Sequence, residues 1–493
     1  MVFAAALALY LLSVAPGPLW QDSGLAQLRV LRGDFHGELG LALSHPLYYL
    51  LATAFQWLPL AESALKTNLV SVVFGAVTIA NVFLLVRLAT GGTIGASVAA
   101  LTLAVAHTFW QHCALAEVYT VTTALMTLEL LCLFQYARTG RARWWIALYF
   151  ANGLGVSNHM VAVLSLACYG AATIWLVSQR RVHVAVAVRC ALAWTLGAAP
   201  YLGLIVGEII GGAGVGATIH SALFGKAYAS AVTNLIPDAR MLTNSVLYLG
   251  LNFPTPAALL VLPGLLAMRS WRPRLPAVVL TALFAIHLVW AVRYDVPDQY
   301  TFFIPAVVLL AVLIGFGAGR FLQSRSRRWK AAVVAAALLP PAVYVPLPAL
   351  ARKAGLRLDT GRPVPYRDTY DYFLRPWKTG YDGAARFARE VHDTLPSGSV
   401  VVVAADATTA RPLHYYQLTG RWTRNVRLLP SAREPRPTTM VTPADVRREL
   451  EAGHVYVVSP VRGYCPQWLL DGYELVPDGV LFRASASKTR WPP

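Results

Sequence analysis

Between residues 2 and 348 the chain is a succession of apolar runs separated by short polar or Gly/Pro-containing breaks. Most runs approach the roughly 20 residues that a helix needs to cross a bilayer. Inside hydrocarbon every backbone N–H and C=O must be satisfied within the segment, so such runs fold as helices. The pattern predicts eleven spans, at 2–19, 67–86, 92–110, 118–136, 144–156, 160–177, 184–206, 243–268, 276–292, 300–319 and 331–348. Composition agrees: 56% of residues are hydrophobic and 13% charged, where a soluble domain carries about 25% charge. The expected class is a polytopic α-helical membrane protein.

Charge orients the helices. The 42 Lys/Arg against 24 Asp/Glu give a formal charge of +18, a number that also suits a nucleic-acid binder. No dense basic tract interleaved with aromatics marks a soluble stretch, whereas membrane proteins gather positive charge in cytoplasmic loops and near headgroups. Membrane lipids are therefore the expected partners, and nucleic acid is not. With the N-terminus inside, the inner loops hold Arg87, "RTGRAR" (138–143), "QRR" (179–181), "RSWRPR" (269–274) and "GRFLQSRSRRWK" (319–330). An odd span count then puts the C-terminal part outside the cytoplasm, as expected for a bacterial plasma-membrane protein. The N-terminal "MVFAAALALYLLSVAPG" lacks the basic start of a signal peptide and reads as a retained first helix. The five cysteines form no CxxC pair and no metal spacing, so no disulfide framework is expected.

Acidic residues are scarce in this region, and their placement is informative. Residues 1–350 contain ten, and on this threading all but Glu129 fall at or near the outer surface. Asp22, Asp34 and Glu38 gather in one long outer loop, 20–66. The apolar stretch 45–60 within it is short for a span and reads as an interfacial or re-entrant helix. Glu117 opens the fourth span, His45 precedes Pro46, Asn158 and His159 share an outer turn, and Arg293 clusters with Asp295 and Asp298. Each has an ordinary reading. "DSG" suits an Asx-turn or helix cap, a Glu at a helix start complements the macrodipole, and the Arg/Asp cluster reads as a solvated ion pair. His107, His287 and Glu129 read as packing within spans.

The ordered set of motifs resembles the protein O-mannosyltransferase-like family of GT-C glycosyltransferases. The matching segments are "WQDSG" after the first helix, "HPLYYLLATAFQWLP", "ALKTNLVSVVFGAVTIANVFLLVRL", "HTFWQHCALAEVYTV" (107–121), "GLGVSNHM" (153–160), "YDVPDQYTFFIPA" (294–306) and "LPSGSVVVVAADATTARPLHYYQ" (395–417). The likeness implies transfer of a sugar, mannose or another hexose, from a polyprenyl-phosphate donor to a protein, glycan or lipid acceptor, with inversion. It implies Asp22 as general base, with Glu117 as a second acid and His45, Asn158, His159, Arg293 and Asp295 as substrate-binding candidates. Two departures bear on this. Leu25 stands where the family has Glu after Asp-Ser-Gly, and the longer spacer to "HP" supplies Asp34 and Glu38 as replacement catalytic acids. No cofactor follows from the residues. A divalent metal held by these acids stays open, because ligands from separate loops cannot be tested by spacing. A transporter or flippase for a lipid-linked glycan and a non-catalytic scaffold are the rival readings.

Residues 351–493 are different: 21 Lys/Arg and 14 Asp/Glu mark a soluble domain. Helical periodicity at 381–395, strand-like runs at 399–405, "RNVRLLP" and "HVYVVSP", a capped helix at 442–453 and a hairpin in "YELVPDGVLFRAS" predict a small α/β layer. The expected organisation is a GT-C-like membrane domain, 1–350, and an outer soluble domain, 351–493, that binds acceptor or covers the site.

Overall fold

The computed structural model describes residues 1–226, 229–358, 361–430 and 441–487. It opens with helices α1 (Val2–Ser13), α2 (Gln21–Arg32), α3 (Pro46–Phe55) and α4 (Ser63–Thr90). Among the described residues, four helices are long and apolar enough to cross a membrane: α4, Tyr119–Thr139, Leu275–Arg293 and Gln299–Leu322. Four further pairs qualify only jointly, because each is bent at a short break. Thr93–Ala104 meets His107–Cys113 at 70°, and Val184–Gly197 meets Ala199–Ile210 at 69°. Ala239–Asn252 meets Pro256–Met268 at 104°, and Arg327–Tyr344 meets Leu347–Lys353 at 51°. Length and composition thus support four to eight spans, where eleven were expected. Hydropathy runs on through a kink. The chain does not, since a proline occupies the first turn of the second half in three of the four pairs. Others of the expected spans are short helices, such as α1 and Ala162–Ser178.

The most buried span, Gln299–Leu322, organises this region. It packs directly on neighbouring backbones through small residues, the usual device between membrane helices. A Cβ on Gly317 would lie 1.8 Å from the Leu260 carbonyl oxygen, and one on Gly315 would lie 2.6 Å from Ala99 Cβ. This fixes the mouth of the span, where Asp298 sits one residue before it.

The C-terminal part forms a five-stranded sheet of β1 (Val400–Val403), β2 (Val426–Leu429), β3 (Val455–Val457), β4 (Tyr473–Asp478) and β5 (Leu481–Ser487), in the order β2-β1-β3-β5-β4. β1 is parallel to β2 and β3, and β5 closes antiparallel on β3 and β4. Thr442 caps the expected 442–453 helix, with Asp445 returning a reciprocal hydrogen bond, but the helix is broken into two short pieces. The composition boundary near residue 350 is not a packing boundary. Trp20, Leu28 of α2 and Ala64 of α4 lie in one buried cluster with Phe387, Leu413 and Tyr415. Trp20 Nε1 donates to the Tyr381 hydroxyl at 2.6 Å, and Arg421 pairs with Glu62 at 2.7 Å. The first loop and the C-terminal domain therefore fold as one body.

Candidate active site

α2 starts abruptly. Gln21 has φ 51°, a left-handed conformation that costs energy in a non-glycine residue and clusters at functional sites. Asp22, Ser23 and Gly24 then occupy its first turn, and each does something different. Asp22 lines two cavities. Ser23 Oγ donates to Glu117 Oε1 at 2.9 Å. A Cβ on Gly24 would lie 2.4 Å from the Leu19 carbonyl oxygen and 2.8 Å from Arg411 Cβ. Only glycine lets the Ala407–Leu418 helix of the C-terminal domain come this close, and that helix delivers Arg411 to the same place. Glu117 is held by α4 through its backbone, which exchanges hydrogen bonds of 3.0 and 3.1 Å with Ser71 Oγ.

Asp22, Glu117, Asp298 and Arg411 together line both cavities, one of about 160 Å³ and one of about 700 Å³. The smaller has apolar walls from Leu25, Leu39, Leu43, Val118 and Phe302, with Arg29, His45 and His159 among its polar groups. The larger lies between the membrane region and the C-terminal domain, with Tyr300 and His112 on one side and Arg362, Asp406 and Tyr464 on the other.

The three carboxyls are close enough to shape one another's ionisation. Burial raises Asp22 above the usual carboxylate range, and the Arg411 guanidinium opposes this. Asp22 is enclosed by protein on most sides yet exposed to solvent through the cavities it lines. Burial, then the charges of Asp22 and Asp298, push Glu117 up to about 8. Burial, then Asp22, push Asp298 to about 6. Like charges at one site ionise in sequence. The shared site thus favours the protonated form of Glu117, whereas Asp22 faces the opposing charge of Arg411.

Residues 42–183 match the sequence model of the protein O-mannosyl-transferase TMEM260 N-terminal domain. No curated protein matches the chain in sequence. In structure, ArnT from Cupriavidus metallidurans bound to undecaprenyl phosphate is similar with a TM-score of 0.63 at 14% identity, over 98% of this chain and 96% of that one. The same protein in the apo state gives 0.61 over the same shares, also at 14% identity. Arabinofuranosyltransferase AftD from Mycobacteria matches at 0.43 and 14% identity, over 99% of this chain and 40% of that one, too distant to carry an argument. The chain has the fold of ArnT. The matched segment includes His45, Glu117, Asn158 and His159, and it excludes Asp22, Asp298 and Arg411.

Within this fold the other expected site residues divide. Asp34 borders the smaller cavity, but its Oδ1 accepts the backbone N–H groups of His36 and Gly37 at 3.0 and 2.8 Å, and its other oxygen lies 3.4 Å from Arg29 Nε. It holds the loop in shape. Glu38 borders the same cavity, half exposed, 4.0 Å from Arg32. His45 has φ 52°, lies 2.8 Å through Nδ1 from the Asn158 carbonyl, and stacks on His159 at 5.0 Å. Asn158 is fully buried and donates to Val118 O and Thr122 Oγ1, so it ties helices together behind the histidines. The expected outer cluster is not formed. Arg293 donates to the carbonyls of Val232 and Asn234, Asp295 pairs with Arg240 at 2.9 Å, and neither lines the two cavities, whereas Asp298 does.

Among the described residues no group of three or more His, Cys, Asp or Glu side chains comes together to hold a metal ion. The reading of residues one by one missed Arg411 and gave Asp298 no role. "TARP" places Arg411 before a proline, which reads as a helix breaker, yet Pro412 sits inside the Ala407–Leu418 helix.

Proposed function

We propose that the chain is a membrane glycosyltransferase that moves a sugar from a polyprenyl-phosphate donor to an acceptor hydroxyl or amide of a protein, glycan or lipid, with inversion, on the extracytoplasmic side. The observation that carries this is that Asp22, Glu117, Asp298 and Arg411 stand where an apolar-walled cavity meets a more polar one, and line both. A lipid-linked donor and a water-borne acceptor need such a division. The apolar-walled cavity suits the donor, whose phosphate would meet Arg29 and Arg411, and guanidinium groups match phosphate geometry. Asp22 removes the acceptor's proton as its heteroatom bonds to the anomeric carbon. The bond from that carbon to the phosphate oxygen breaks on the opposite face, and the charge left on the polyprenyl phosphate is stabilised by the arginines. The undecaprenyl phosphate bound to ArnT supports a donor lipid of this class.

Purified protein in nanodiscs, supplied with a panel of polyprenyl-phosphate hexoses and pentoses and mixed acceptors, tests the reading by mass spectrometry of product and released polyprenyl phosphate. Movement of the intact lipid-linked sugar between leaflets, with no transfer, would instead establish the flippase reading.

A further inference from the structure

The C-terminal domain contributes more to the larger cavity than a cover. β1 has β2 on one side and β3 on the other, both parallel to it, although the chain visits them in the order β1, β2, β3. The connection leaving β1 runs to β2 on one side and the connection leaving β3 runs to β4 on the other, so a crevice opens between the carboxyl ends of β1 and β3. In open α/β sheets ligands bind at such a switch point. Asp406 follows the end of β1, Tyr464 follows the end of β3, and both line the larger cavity beside Arg362. The crevice thus opens directly onto the catalytic carboxyls.

These groups are built as a rigid surface. Arg362 and Asp406 are nearly fully buried and pair through two hydrogen bonds, the Arg362 Nε to Asp406 Oδ2 distance being 2.6 Å. The guanidinium lies 4.1 Å from the centre of the Tyr464 ring. Gly361 has φ 71°, and a Cβ there would lie 2.8 Å from the Tyr464 hydroxyl, so the backbone is shaped around this ring. Tyr372 and Phe373 supply two more rings to the wall. The volume of about 700 Å³ falls within the roughly 300–1,000 Å³ of small-molecule sites. Among the described residues no strand lines it, so the cavity wall presents no sheet edge to pair with an extended peptide.

We infer that the switch-point crevice of the C-terminal domain, with Tyr464 as its platform beside the Arg362–Asp406 pair, binds a carbohydrate, so that the acceptor is a glycan. A pyranose presents an apolar C–H face to an aromatic ring and a belt of hydroxyls to planar charged groups, which is what this wall offers. The inference rests on the proposed transferase reading for the word acceptor, but the binding site itself does not.

The test is calorimetric titration of the full chain in nanodiscs, without donor, using methyl glycosides and disaccharides of gluco, galacto, manno and arabino configuration, alongside Ser/Thr-rich peptides. At least one saccharide is expected to bind. Tyr464→Leu should weaken it by about tenfold or more, the scale of one lost ring contact, while Tyr464→Phe retains binding. Phe373→Leu gives a second reading if Tyr464→Leu does not fold. In turnover, the same variants should raise acceptor KM more than they lower kcat. Binding of peptides but no saccharide, or saccharide affinity unmoved in both leucine variants, overturns the inference. Saccharide binding without any donor turnover by the parent protein would leave the site standing and sink the transferase reading.

Discussion

At the scale of single residues, position relative to the cavities decides what each carboxyl can do. Asp22→Asn keeps shape and loses basicity, so transfer should fall by about 10²–10⁴ with donor binding retained. Asp34→Asn and Glu38→Gln should cost less, because Asp34 shapes a loop and Glu38 is half exposed. Rates measured with the polyprenyl-phosphate sugar that supports turnover separate these, and a dead Asp34→Asn beside a normal Asp22→Asn would move the base from Asp22 to Asp34. Arg411 lowers the Asp22 pKa against the effect of burial. Arg411→Gln should therefore move the acidic limb of the pH–rate profile upward as well as reduce kcat. Glu117 makes a stability prediction. Its folded-state value of about 8 lies above the ordinary 4.5, so between those values the folded state binds more protons than the unfolded chain. Its contribution to stability is then lost as pH rises through that window. Glu117→Gln should flatten the dependence of Tm on pH between 4.5 and 8 and be the more stable protein at pH 8.

At the scale of elements, α2 is the piece that the sequence hid. "WQDSGLAQLRVLRG" has a glycine in its first turn and lies within the stretch expected as a long outer loop; in the fold it is a helix capped by Gly33 at φ 64°. Its partner, Ala407–Leu418, was hidden by Pro412. Both helices become legible only together, since burial of Leu28 and Leu413 in one cluster supplies the stability that propensity withholds. The contact at Gly24 sets their separation. Gly24→Ala should cost about 1–3 kcal/mol through overpacking and displace Arg411, so that kcat falls further than the loss of folded protein explains. Thermal melting and activity on the same preparation check this. The bent pairs show the converse. There the hydropathy pattern was right about apolar character and silent about direction, because a proline-marked break reorients the chain without changing its composition.

At the scale of the molecule, the first loop and the C-terminal domain share a core, so they must lie on one side of the membrane. Cysteines introduced at Leu39 and Asp393 should both react with a membrane-impermeant maleimide on intact cells, and one at Arg327 only after permeabilisation. The native cysteines are buried or half buried and leave the background low. Labelling of Leu39→Cys and Asp393→Cys from opposite sides would break the whole site argument. Much of the architecture needed only the sequence. The membrane class follows from the cost of unsatisfied backbone in lipid, the α/β character of the C-terminal part from its alternating periodicities, and the candidacy of Asp22 and Glu117 from motif order. The tertiary structure alone decided which acids meet. Asp298 parts from Arg293 and Asp295, and Arg411 arrives from nearly four hundred residues away to face Asp22. Spacing along a chain reports what shares a helix face or a turn. Charges that converge from separate loops are brought together by packing, through close approaches such as that at Gly24, and no local pattern records them.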